Sequence, residues 1–293
     1  MRPAGEKWSA PRLRARWAER GFSAADLLNL WPSAGRGARA ETLRYGDAPR
    51  QMLDVYRPRH ATRAPLVVFF YGGSWQNGSR ELYAFLGRAL AAQGIVTVVP
   101  DYTLYPEARF PGFLDDAARA VAFAREHASS WGADPQRLVL MGHSAGAYMA
   151  AMLAFDRQWL AQAALDAHRD VAALVGLAGP YDFLPIESRV LQTIFGGPDR
   201  AETQPITFVT GREAPALLVS AQRDTLVEPG NTQRFAARIH EFGGSVEERA
   251  YGRVNHFTLI GAFAPGLRLL APVMRDIDDF IWRVTGRTAV RQA

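Results

Sequence analysis

Residues 142–146 read Gly-His-Ser-Ala-Gly, inside the stretch "RLVLMGHSAGAYMA" (137–150). An apolar run leads into this pentapeptide and an alanine-rich, helix-prone run leaves it. A serine with glycine two positions away on each side fits a sharp strand-to-helix turn, because only residues without bulk fit at the flanking positions. Such a turn lifts the hydroxyl of Ser144 above a sheet and sets it at a helix N-terminus, where developing negative charge is favoured. The chemistry this suggests is nucleophilic attack.

A serine hydroxyl is a poor nucleophile at neutral pH and needs a base. The chain offers His60, His127, His143, His168, His240 and His256. His127 and His240 fall in helical patterns, His60 in an early loop, and His168 in a polar stretch before a strand. His143 is expected to point away from its neighbour Ser144. His256, in "RVNHFTLIG", follows the last predicted strand and lands on the same sheet rim as Ser144. It is the expected base. The acid that would orient it is Asp224, in "LLVSAQRDTLVEPGN", with Asp182 in "GLAGPYDFLP" as the competitor. Backbone N–H donors for an oxyanion are expected from Gly73, Ser74 and Ala145. The first two lie in the glycine loop "FFYGGSWQNGSR" (69–80), and Ala145 directly follows the nucleophile. Trp75, Tyr148 and Tyr71 are the candidate pocket aromatics.

These groups need a scaffold. Continuous apolar runs occur at 66–71, 95–100, 137–142, 171–179 and 216–221, and a more polar strand pattern at 246–251. Helical patterns separate them at 81–94, 113–128, 145–156 and 232–243, with a last one at 269–284. Apolar runs without alternation, interleaved with helices, predict a parallel sheet covered on both faces. Two short strands within 41–58 would add an antiparallel edge. Residues 1–40 read as a helical segment that could fold over the site as a cap through Trp8, Trp17, Phe22 and Trp31, or dock on the body. Residues 183–214 break the rhythm and read as a cap-like insertion. No linker divides the chain, so 1–293 is expected to be a single domain.

Composition sets the remaining bounds. The 293 residues are 48% hydrophobic and 22% charged, ample for a large core. Net charge is +5, almost all from arginine, without a basic block interleaved with aromatics, so nucleic acid is not an expected partner. There are no cysteines, which excludes disulfides and thiolate chemistry. Without an apolar leader or an 18-residue apolar span, the expected setting is soluble and cytoplasmic. A homodimer is left open.

The ordered motifs resemble the α/β-hydrolase fold, in the esterase branch that includes hormone-sensitive-lipase-like esterases, feruloyl-esterase-like (BD-FAE) proteins and arylformamidases. Four segments carry the likeness: Tyr71-Gly72-Gly73-Ser74-Trp75, "DYTLYPEARFPGFLDDAARAV" (101–121), Gly142 to Gly146, and the late Asp224 and His256. The resemblance covers roughly residues 41–285. It implies a mostly parallel eight-stranded sheet with helices on both faces and a small helical cap. It also implies a serine carboxylic ester hydrolase acting on small to medium acyl esters, without metal or organic cofactor. An arylformamidase-type amidase and an inactive binding module are the alternatives. Two positions depart from the family pattern. Tyr71 replaces a histidine that commonly anchors the oxyanion loop, and Tyr102-Thr103-Leu104 lacks the arginine of the usual Y-R-L.

Overall fold

The computed structural model describes residues 38–286. Its strands are β1 (Arg39–Arg44), β2 (Met52–Arg57), β3 (Ala64–Phe70), β4 (Val96–Pro100), β5 (Ala133–His143), β6 (Ala173–Leu177), β7 (Ala216–Ala221) and β8 (Val246–Tyr251). Its α-helices are α1 (Ala84–Ala91), α2 (Gly112–His127), α3 (Ala145–Phe155), α4 (Arg157–Gln162), α5 (Ala167–Asp170), α6 (Arg189–Phe195), α7 (Gly230–Glu241), α8 (His256–Gly261) and α9 (Val273–Thr285).

The strands form one eight-stranded sheet in the order β1-β2-β4-β3-β5-β6-β7-β8. β1 and β2 pair antiparallel, β2 joins β4 antiparallel, and every later pairing is parallel. β3, β4, β6 and β7 are buried along their whole length, which is why they read as unbroken apolar runs. β8 is the far edge, and its charged residues face water. α3 is buried at every position from Ala145 to Phe155. A helix surrounded on all sides has no need of a polar face, which explains its alanine-rich sequence.

Three details differ from the sequence expectation. The helix expected over 81–94 is divided into a 3-10 turn at Arg80–Tyr83 and α1. β5 starts at Ala133 instead of 137, across an irregularity in its pairing with β3. Short helices α4, α5 and α8 lie where only connections were expected, since pieces of four to six residues carry too little periodicity to read, and α6 lies within the 183–214 insertion. The expected helical segment at 1–40 lies outside the described residues, apart from the start of β1. Among the described residues, no helix is long and apolar enough to cross a membrane.

Candidate active site

Ser144 sits between β5 and α3 with φ 56° and ψ −125°. A non-glycine residue in such a conformation costs on the order of 1–3 kcal/mol and persists only where its surroundings hold it. Here they do. The Ser144 N–H donates to the Leu177 carbonyl at 2.8 Å, tying the turn to β6. Any side chain at Gly146 would strike the carbonyl oxygen of Phe70 at the end of β3, and one at Gly142 would strike that of Gly146. Both glycines are therefore set by close approach: the first turn of α3 lies directly on the ends of two strands.

The loop after β3 presses against this turn. A methyl group at Gly72 would come within 2.8 Å of the Ser144 Cβ. Beyond it, Gly73, Ser74 and Trp75 have φ of 137°, 53° and 59°. The Gly73 carbonyl accepts from the N–H groups of Gln76 and Asn77, both at 3.0 Å, so the loop curls on itself. The N–H groups of Gly73 and Ser74 donate to nothing among the described residues. The Ala145 N–H opens α3, where no intrahelical carbonyl is available to it.

His256 is the first residue of α8, and a capping box fixes its place. The Asn255 side chain accepts from the N–H groups of Phe257 (3.1 Å) and Thr258 (2.9 Å), while the Thr258 hydroxyl accepts from the Asn255 N–H at 2.8 Å. The pattern Asn255-x-x-Thr258 was the signal in the sequence that a helix starts here. The buried imidazole places Nδ1 2.7 Å from the Asp224 Oδ2. A carboxylate can only accept, so Nδ1 carries the hydrogen and Nε2 of the neutral ring is left as a base. The other Asp224 oxygen accepts from the N–H groups of Leu226 (2.9 Å) and Val227 (3.0 Å). Burial alone would raise the Asp224 pKa. The bonds from His256, Val227 and Leu226 outweigh it and hold the carboxyl below the ordinary carboxylate range. Asp182 does not reach this cluster; its carboxylate meets Arg234 Nε at 2.6 Å.

His143 makes a contact that its place in the sequence did not reveal. Its ring packs against that of His256, with centroids 4.6 Å apart, and its Nε2 donates to the His256 carbonyl at 3.1 Å. The residue before Ser144 thus holds the backbone of His256. Burial pushes the His143 pKa from 6.5 down to about 3, with the His256 charge adding to it. The chain protonates this histidine more readily when unfolded, so stability should fall as pH drops from 6.5 towards about 3. His143→Gln should lose less stability over that window than the parent protein, in urea unfolding at pH 7 and pH 4. Equal losses in both would contradict this account.

The remaining candidates are aromatic. Trp75 is buried and meets Tyr148 edge-on at 5.2 Å and Phe195 at 4.8 Å, with Phe183 stacked at 6.4 Å. The Tyr148 hydroxyl donates to the Thr203 carbonyl at 2.8 Å. Phe183, Phe195 and Thr203 all come from the 183–214 insertion, which therefore packs against Trp75 in the loop after β3 and against Tyr148 of α3. Tyr71 is placed differently. Its ring lies between Tyr83 and Tyr102, and its hydroxyl donates to Asp101 at 2.7 Å. It supports the loop from beneath and offers no face to a ligand.

A sheet of this order, with a glycine-flanked serine between β5 and α3, defines the α/β-hydrolase class. The BD-FAE family model matches residues 53–239, and the chain belongs to that family. It is 33% identical to esterase LipC of Mycobacterium tuberculosis over 216 residues, 67% of this chain and 53% of LipC, so it spans about half of that relative. It is 26% identical to kynurenine formamidase of Danio rerio over 265 residues, 84% of this chain and 87% of that protein. Among solved structures, esterase Est2 of Thermogutta terrifontis superposes with a TM-score of 0.71 at 22% identity, covering 89% of this chain and 97% of Est2.

Proposed function

We propose that this chain is a serine carboxylic ester hydrolase. The observation that carries the reading is the buried Asp224–His256 bond, held beside the strained Ser144 turn by His143. The Ser144 hydroxyl attacks the ester carbonyl while His256 Nε2 takes its proton. The oxyanion that forms is met by the N–H groups of Gly73, Ser74 and Ala145, each donor of this kind being worth roughly 10²–10³ in rate. His256 returns the proton to the leaving alkoxide, and Asp224 steadies the imidazolium. Water, activated by the same histidine, then releases the acid from Ser144. The packed ring cluster of Trp75, Tyr148, Phe183 and Phe195 favours short acyl chains.

The similarity to kynurenine formamidase supports a second reading, since formamide hydrolysis would use the same attack and the same donors. A p-nitrophenyl ester series from acetate to palmitate, assayed beside N-formylkynurenine, separates the two. We expect turnover of the acetate and butyrate esters to exceed that of palmitate, and kcat/KM on the best ester to exceed that on the formamide. Faster hydrolysis of N-formylkynurenine would favour the amidase.

A further inference from the structure

Tyr71, one of the two departures from the family pattern, is held beneath the oxyanion loop by a network that also reaches Tyr102, next to the other. Arg50 lies in the turn between β1 and β2, and its guanidinium reaches across to residues 71–102. Nε donates to the Tyr102 carbonyl, and Nη2 donates to both the Tyr71 hydroxyl and the Gly78 carbonyl, each at 2.8 Å. Tyr71 opens the loop and Gly78 closes it. Asp101 repeats the pattern from the other side. Its Oδ1 accepts from the Tyr71 hydroxyl at 2.7 Å and from the Arg80 N–H, just past the loop, at 2.8 Å. The Tyr102 hydroxyl donates to the Tyr71 carbonyl at 2.9 Å. Both ends of the loop are therefore stapled twice, and the Tyr71 hydroxyl takes part in each staple, accepting from Arg50 and donating to Asp101.

We propose that Arg50 is a positioning residue for the oxyanion donors, working through Tyr71 and Asp101 as a clamp that stands in for the missing histidine and arginine. This rests on the esterase reading of the site. Between the staples, three consecutive residues hold positive φ, two of them non-glycine, and relaxation of that strain would turn the Gly73 and Ser74 N–H groups away from the oxyanion. Three acceptors in different directions suit a planar guanidinium with rigidly set donors, which a lysine ammonium cannot reproduce. The Arg50 side chain is one-third exposed, so what it supplies is geometry more than Coulomb energy.

The test compares Arg50→Met, Arg50→Lys and Tyr71→Phe with the parent enzyme. On p-nitrophenyl butyrate, Arg50→Met should lower kcat by about 10–100-fold with KM changed less than about threefold. The inhibition constant of a trifluoromethyl ketone, which binds as a hemiketal oxyanion, should rise by the same factor. Arg50→Lys should recover only part of the loss. Tyr71→Phe keeps the ring stack and removes the hydroxyl; a loss of about tenfold is expected. Hydrogen exchange at residues 72–77 should quicken in these variants, a readout that needs no catalysis. Parent-like kcat, ketone affinity and exchange in Tyr71→Phe and any folded Arg50 variant would overturn the clamp. A parent protein inert to esters and to fluorophosphonate would instead overturn the esterase reading, and the exchange measurement would still decide the clamp.

Discussion

Ser144→Ala should lower kcat on p-nitrophenyl butyrate by about 10⁴-fold or more and abolish labelling by a fluorophosphonate probe. Melting should shift by less than about 3 °C. The size of the catalytic loss follows from what remains. Without the hydroxyl no acyl-enzyme forms, and the only help left is oxyanion binding and substrate orientation. The small stability effect follows from the turn. Alanine meets the same backbone cost at φ 56° as serine, and the Leu177 bond uses the main-chain N–H, which survives. The neighbouring positions should behave oppositely. A side chain at Gly146 collides with the Phe70 carbonyl, so substitutions there cost folding as well as catalysis. If folded Ser144→Ala kept near-normal turnover, the nucleophile would have to be sought elsewhere and the proposal for this site would fail. Labelling of the parent protein also bears on the alternative of an inactive binding module, which has no reason to activate this serine.

Much of this arrangement was legible in the sequence because its physical causes are local. A strand buried on both faces must be apolar throughout, so the core strands stood out; β7 and β8 match their sequence bounds residue for residue. The elbow showed itself because close approach of α3 to β3 tolerates only glycine at position 146. What could not be read depends on contacts far apart in the chain. Nothing near His143 in sequence reveals that it donates to a carbonyl 113 residues later. The bonds from Arg50 to Tyr71 and Gly78 span 21 and 28 residues and leave no periodic trace. The absence of the expected arginine after Tyr102 was visible, but the bond from Arg50, in the β1–β2 hairpin, to the Tyr102 carbonyl was not. Aromatic character is legible in a sequence while the direction of a ring is not, which is why Tyr71 reads as a pocket residue although its ring stacks between Tyr83 and Tyr102. α8 does carry a local signal, the capping box of Asn255 and Thr258.

The choice between Asp224 and Asp182 is decided by a second large effect. Asp224→Asn should reduce kcat by roughly 10³–10⁴-fold, whereas Asp182→Asn should stay within about twofold. Hydrogen-bond direction sets the difference. In Asp224 one oxygen accepts from two backbone N–H groups and the other from His256 Nδ1. An asparagine must keep its carbonyl oxygen towards the Leu226 and Val227 N–H groups, because its amide nitrogen cannot accept from them. That turns the NH₂ towards His256 and makes Nδ1 the acceptor, so the ring hydrogen moves to Nε2. The Nε2 base that the proposed attack by Ser144 requires is then lost, and the imidazolium formed during that attack loses its counter-charge. Asp182 has no such lever, since its carboxylate pairs with Arg234 near the surface. Steady-state kinetics on the two variants, with circular dichroism to confirm folding, read the difference directly. Comparable losses from both would mean that Asp182 serves the site through a route other than His256. A loss confined to Asp182→Asn would reverse the assignment.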